Sequence, residues 1–242
     1  MSLRLGVHRR SLAIGGDRAA GVVRSTLDLV NKNPRAVLDA ASAASARLEK
    51  RGPAEVVGHT SPLISWAAFH LGAAFAAEVM IERLGTEDGW HDLQRVLGVN
   101  SYDIMEAQAF IVASSSVMTA IDLCAAAVYR LSGGTPAPGR EYDLGDWRRH
   151  GDRDETPPAL QTWLSDVLRS AEQSLLERAR HQAVHRSTPR VIKLTAGAHR
   201  LPASEFVVDG TAHPVDDLIA RFARHGENRF DAFCDSVASD YT

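Results

Sequence analysis

Residues 104–131, IMEAQAFIVASSSVMTAIDLCAAAVYRL, decide the fold class. Phe110, Val117, Ile121, Cys124 and Val128 are spaced by three, four or seven residues, which is the repeat of a helix with one apolar stripe. Ser132-Gly133-Gly134 then breaks the pattern. The stretch is too long and too regular for a strand. It predicts a long core helix and an all-α antiparallel bundle around it.

The pattern repeats outward from this helix. Upstream, residues 34–50 read as an alanine-rich helix begun by Pro34 and stopped by Arg51-Gly52-Pro53. Thr60 or Ser61 is expected to cap a next helix, with Pro62 in its first turn and Gly85 at its end. Its apolar residues recur almost all round, so it is expected at the centre of the fold, with His70 as a hydrogen-bonded core histidine. Residues 87–98 read as a short amphipathic helix or turn, and Gly15-Gly16 sets off an N-terminal tail.

Downstream, residues 135–155 are rich in Gly, Pro and mixed charge and read as a long surface connection anchored by Trp147. Pro157-Pro158 starts a helix whose stripe from Leu160 to Leu176 predicts one continuous element reaching about Arg186. Alternation at 191–195 and again at 205–208, with a turn at Ala196-Gly197-Ala198 and Asp209-Gly210 beyond, predicts a small β-hairpin. Pro214 opens a last helix to about Ala238. Two regions are expected: an N-terminal helical region, 1–100, and a helical bundle, 101–242.

Composition bounds the function. The 242 residues are 45% apolar with a formal net charge of −3, so any nucleic-acid signal must be local. Residues 1–16 lack the apolar run of a signal peptide, and residues 63–80 are interrupted by His70 and Glu78, so a buried helix is expected before a membrane span. Cys124 and Cys234 match no metal or redox spacing and read as buried thiols. A cytoplasmic chain without cofactor, metal or membrane attachment is expected. Walker, dinucleotide and helix-turn-helix patterns are missing, and Ser114 to Ser116 lack a nucleophile turn.

The strongest local signal is Glu177-Arg178-Ala179-Arg180-His181-Gln182-Ala183-Val184-His185-Arg186. From residue 178 to 204 there are six Lys or Arg, including Arg186 and Arg190, three His and no acid. A helix C-terminus attracts cations through its carbonyl dipoles, so a solvated basic helix end is one reading. The other is chemical. Histidine exchanges protons near neutral pH, and arginine is a planar donor matched to phosphate oxygens. A base beside an oxyanion stabiliser suits metal-free cleavage of RNA, whose 2′-hydroxyl supplies the nucleophile. His181 and His185, one turn apart, have no acidic or thiol neighbour to complete a zinc site. Asp122 either faces solvent or pairs with an arginine of the cluster and orients it.

The cluster resembles the R-x(4–6)-H motif of the HEPN superfamily, read as Arg180-x4-His185 or Arg178-x6-His185. His181 after the arginine favours the first register. The His185-Arg186 pair, the run into a hairpin and final helix, and Ala120-Ile121-Asp122-Leu123 in the earlier helix extend the resemblance over about 101–238. It implies an endoribonuclease site at a homodimer interface, in a toxin, defence or RNA-processing setting. Arg180 and His185 would be catalytic; Arg178, His181, Arg186 and Arg190 would bind; Asp122 would orient. RNA, a second copy, and a cognate antitoxin or regulatory protein are the implied partners. The alternative is a catalytically inactive helical interaction and dimerisation module.

Overall fold

A computed structural model of the chain describes residues 35–84, 91, 95, 102–151, 153–185 and 205–242. The described residues form an all-α bundle of seven helices with a two-stranded antiparallel hairpin before the last one. The helices are α1 (35–51), α2 (Ala54–Leu84), α3 (Tyr102–Leu131), α4 (Leu144–His150), α5 (Pro158–Arg169), α6 (Ala171–His185) and α7 (Val215–Asp240). The strands β1 (Glu205–Val208) and β2 (Thr211–Pro214) lie between α6 and α7. Residues expected as the 87–98 helix and the 191–195 strand fall outside the described residues, apart from 91 and 95.

α3 is the centre. Ala109, Phe110, Ala113, Val117, Ala125 and Val128 are fully buried along it. It packs against α2 most extensively, then α7 and α6. Small residues let these backbones approach closely, as at Gly226 of α7. A Cβ there would stand 2.7 Å from Leu71 Cδ2 and 2.9 Å from Val117 Cγ1, so only glycine fits between α2 and α3. One buried core runs from Val37 of α1 to Val237 of α7, drawing on both halves of the chain.

α2 corrects two expectations. It begins at Ala54 rather than beyond Thr60, and Pro62 sits inside it. Pro53 is the opening proline, its carbonyl accepting from Val56 N at 2.9 Å. Thr60 does not cap. Its hydroxyl donates back to Val56 O at 2.9 Å, as Ser65 donates to Ser61 O at 3.1 Å. Both are hydroxyl bonds back to the carbonyl four residues earlier within the helix; the carbonyl that Pro62 leaves without an N–H is that of Gly58. Nor is α2 buried all round. Trp66 and Phe69 are 57% and 61% exposed, and His70 is half-exposed beside them instead of buried in the core.

The single helix expected across 158–186 is two. Ser170 has extended backbone, with φ −68 and ψ 126, and separates α5 from α6. Its hydroxyl accepts from Gln173 N at 3.2 Å and so caps α6. Asp240, at the end of α7, holds the start of α5: its two oxygens accept from Ala159 N and Leu160 N, each at 3.0 Å.

The connection after α3 is ordered into α4 by an Asp143–Asp146 capping box. Trp147 is its anchor, fully buried and donating to Ala125 O at 3.1 Å. The hairpin turns at Asp209-Gly210, both with positive φ, and pairs Glu205 with Pro214. The partner of β1 is therefore 211–214, on the far side of that turn. Phe206 pins the hairpin to the core, its ring 4.7 Å from Phe110.

Candidate functional site

α6 carries the Arg/His cluster, and its three faces do different work. Gln173, Leu176 and Ala179 form the buried stripe. Glu177 and Arg180 share one flank, toward α3 and α4. Arg178 and Gln182 share the other, toward the hairpin. Arg178 Nε donates to Asp209 Oδ2 at 2.6 Å, and Gln182 Nε2 donates to Val207 O at 2.7 Å. Together they tie the hairpin to the helix.

Arg180 and His181 are exposed. α6 stays helical through His185. At about 100° per residue, the His185 Cα falls about 20° from Arg178 around the axis and about 140° from Arg180. The His185 side chain, Arg186 and Arg190 lie outside the described residues. The helix thus separates the two arginine registers: Arg178 shares the face of His185 but is engaged by Asp209, whereas Arg180 is exposed on another face.

Asp122 of α3 stands on the Arg180 flank. It is half-buried and accepts from Leu144 N at 3.3 Å, at the start of α4. Burial raises its carboxyl to about 6; the Leu144 bond pulls it down, Asp143 pushes it up, and Arg180 pulls it down in turn. Among the described residues the hydrogen bond of Asp122 goes to the Leu144 backbone, and no ion pair joins it to an arginine of the cluster.

Beside Asp122 runs a polar seam that sequence reading missed. Arg148 of α4 donates through both terminal nitrogens to Glu177, at 2.6 and 2.7 Å. Gln173 Nε2 donates to Glu177 Oε1 at 3.0 Å and approaches Met118 Sδ at 3.2 Å. Its Oε1 meets His225 Nε2 of α7 at 3.1 Å. Gln173 is fully buried, and burial lowers His225 to about 4, keeping the ring neutral. The one local signal was Ser170-x-x-Gln173, the spacing of a helix cap followed by an amide. The partners of Glu177 and Gln173 lie 29 and 52 residues away, where sequence spacing says nothing.

The last turn of α4 carries further basic residues. Arg140 and Arg149 both donate to Oδ1 of buried Asp146, and His150 lies near the Tyr142 ring. A cleft of about 160 Å³ lies among Tyr129, Tyr142, Arg140 and His150, with Glu141, which Arg130 holds at 2.9 Å, on its rim. Among the described residues no group of three His, Cys, Asp or Glu is placed to hold a metal. Cys124 and Cys234 are buried free thiols, burial pushing Cys234 up to about 12. Ser114 is fully buried and packs within α3.

In comparisons with known proteins, no family model, no curated protein and no solved structure matches the chain.

Proposed function

We propose that the chain is a HEPN-like RNA-binding protein that cleaves RNA without metal, with Arg180 as phosphate clamp and His185 as base. The observation that supports this is the division of labour on α6. Arg178 is taken up by Asp209 of the hairpin, while Arg180 and His181 are exposed at the same helix end. Among the described residues Arg180 makes no ion pair at salt-bridge distance, which leaves its guanidinium open to a polyanion.

The chemistry follows from the groups. His185 takes the proton of a ribose 2′-hydroxyl, and the 2′-oxygen attacks the adjacent phosphorus. The 5′-oxygen leaves and takes up a proton, giving a 2′,3′-cyclic phosphate and a free 5′-hydroxyl. Arg180 stabilises the charge that grows on the phosphoryl oxygens, its long stem spanning the angle to His185. His181, Arg186 and Arg190 hold flanking phosphates, with Arg178 on the hairpin side. Asp122, ionised at neutral pH, supplies a fixed negative charge that orients Arg180. In this reading the chain acts in the cytoplasm as a homodimer, in a toxin, defence or RNA-processing role, governed by an antitoxin or other regulatory protein.

A second reading, an inactive helical interaction module, draws on the exposed aromatics of α2. Single-stranded RNA incubated with the chain in EDTA separates the two. Cleavage that disappears in both His185→Ala and Arg180→Ala carries the first reading. Intact RNA across varied sequences, or equal cleavage by the variants, leaves the second.

A further inference from the structure

The chain holds two cysteines, Cys124 and Cys234, 110 residues apart. Their spacing matches no metal or redox motif, yet the fold sets them at one level. Phe110 of α3 lies against Phe222 of α7, with ring centroids 6.2 Å apart. Further along, Val117 Cγ1 stands 2.9 Å from the place a Cβ of Gly226 would take. Residue numbers rise together along both helices, so α3 and α7 run parallel. The offset is 112 residues at the first contact and 109 at the second, and the cysteines are offset by 110. Cys124 lies about 10.5 Å beyond Val117, and Cys234 about 12 Å beyond Gly226.

Direction agrees with level. Cys124 is two turns past Val117 and shares its face, and Cys234 falls within a quarter turn of Gly226. Both are free thiols, 1% and 7% exposed. Gly226 removes the Cβ that would hold the two backbones apart. A disulfide needs such an approach, because its two Cα atoms stand under about 7 Å from each other. Burial pushes the Cys124 thiol well above the usual thiol range, and Cys234 pushes it further, so each sulfur lies within electrostatic reach of the other.

We propose that Cys124 and Cys234 are a dithiol pair that hydrogen peroxide oxidises to a disulfide, stapling the central helix α3 to the closing helix α7. The more exposed sulfur, Cys234, attacks first. As a thiolate it takes one peroxide oxygen, the O–O bond breaks, and water leaves behind a sulfenic acid. Cys124 gives up its proton and attacks that sulfur; the S–O bond breaks and a second water leaves. The two thiols together lose two electrons and two protons, and the peroxide is reduced to two waters. Both sulfurs are shielded in the closed fold, so the rate follows openings of α7 rather than peroxide alone. The bond closes a loop that holds α4, α5, α6 and the hairpin, and so constrains the unfolded chain strongly. Nothing in this step depends on RNA.

The test treats the folded full chain with hydrogen peroxide, removes the peroxide with catalase, and follows mass and melting. The oxidised wild type should be lighter by about 2 Da and resist iodoacetamide in guanidinium. Its digest should contain one peptide pair joined through Cys124 and Cys234, and a denaturing gel without reductant should keep it at 26.2 kDa. Its thermal midpoint should rise by at least about 5 °C and return with dithiothreitol. Cys124→Ala should leave Cys234 without a resolving partner, so peroxide adds about 32 Da as sulfinic acid. Cys234→Ala should leave Cys124 unmodified over the same time. Four results would overturn the pairing. They are two thiols that stay free, two thiols oxidised separately in the wild type, a bond between chains, and a bond that forms only when guanidinium has unfolded the protein. The wild-type readouts decide the matter even if an alanine variant folds poorly.

Discussion

Arg148 and Glu177 form a two-pronged ion pair, at 2.6 and 2.7 Å, that fastens the short α4 to the helix carrying the Arg/His cluster. The bond to the acid raises Arg148 above its ordinary value against the cost of burial. Both groups keep some contact with water, so solvent screens their attraction. A double-mutant cycle with Arg148→Ala and Glu177→Ala should give a coupling of about 0.5–1 kcal/mol in urea unfolding. Additivity of the two changes would mean the pair holds nothing.

Asp122 gives a pH dependence of definite sign. Its folded carboxyl sits at about 6 against an ordinary 3.8, mainly through burial. The folded chain therefore binds that proton more tightly than the unfolded chain. The contribution is full below about pH 4 and is lost as pH rises through about 6. Asp122→Asn keeps an oxygen for Leu144 N without the charge. At pH 7 it should be more stable than wild type by about 1–2 kcal/mol, and equal or weaker at pH 4. Denaturant melts at the two pH values check this, and a less stable variant at pH 7 contradicts it.

His225 works in the opposite direction. Burial lowers it from 6.5 to about 4, so the unfolded chain takes up that proton first. Its stability contribution is full above about pH 6.5 and is lost as pH falls toward 4. Thermal melts of His225→Gln should show a smaller drop between pH 7 and pH 5 than the wild type. An unchanged drop would place the acid sensitivity elsewhere.

Two arginines two residues apart should behave differently. Arg178→Ala removes the Asp209 contact and should loosen the hairpin by no more than about 1 kcal/mol, read as faster amide exchange at 205–214. RNA cleavage should persist. Arg180→Ala should leave exchange alone and reduce cleavage at least about a hundredfold. The reverse pattern would move the motif to the Arg178 register.

Gly226→Ala should lower stability by about 1–3 kcal/mol, because its methyl group meets Leu71 and Val117 at under 3 Å. A melting temperature within a degree of wild type would show that α7 can move away freely.

Much of this fold can be read from residue order because most of its contacts follow a helical period. The α3 stripe, the stop at Gly133-Gly134, the Trp147 anchor and the strand at 205–208 all carry local signals. Pro62 misled because proline starts helices more often than it interrupts them, and back-bonding by Thr60 and Ser65 is invisible in a pattern of apolar residues. The break at Ser170 was hidden by a stripe that continues in phase across it. The site was legible only as a basic cluster. That Arg178 would be claimed by Asp209, and that Gln173 would join Glu177 to His225, depends on elements brought together from distant parts of the chain.

The break at Ser170 also sets a lever. α6 is 15 residues long, about 22 Å from its capped start to His185, and it leaves α5 through one extended residue. A tilt of about 10° at that joint swings the far end by about 4 Å, more than a hydrogen bond's length. The direction in which α6 leaves α5 is set at Ser170, and the contacts of Glu177, Gln173, Arg178 and Gln182 with α4, α7 and the hairpin are what oppose such a tilt.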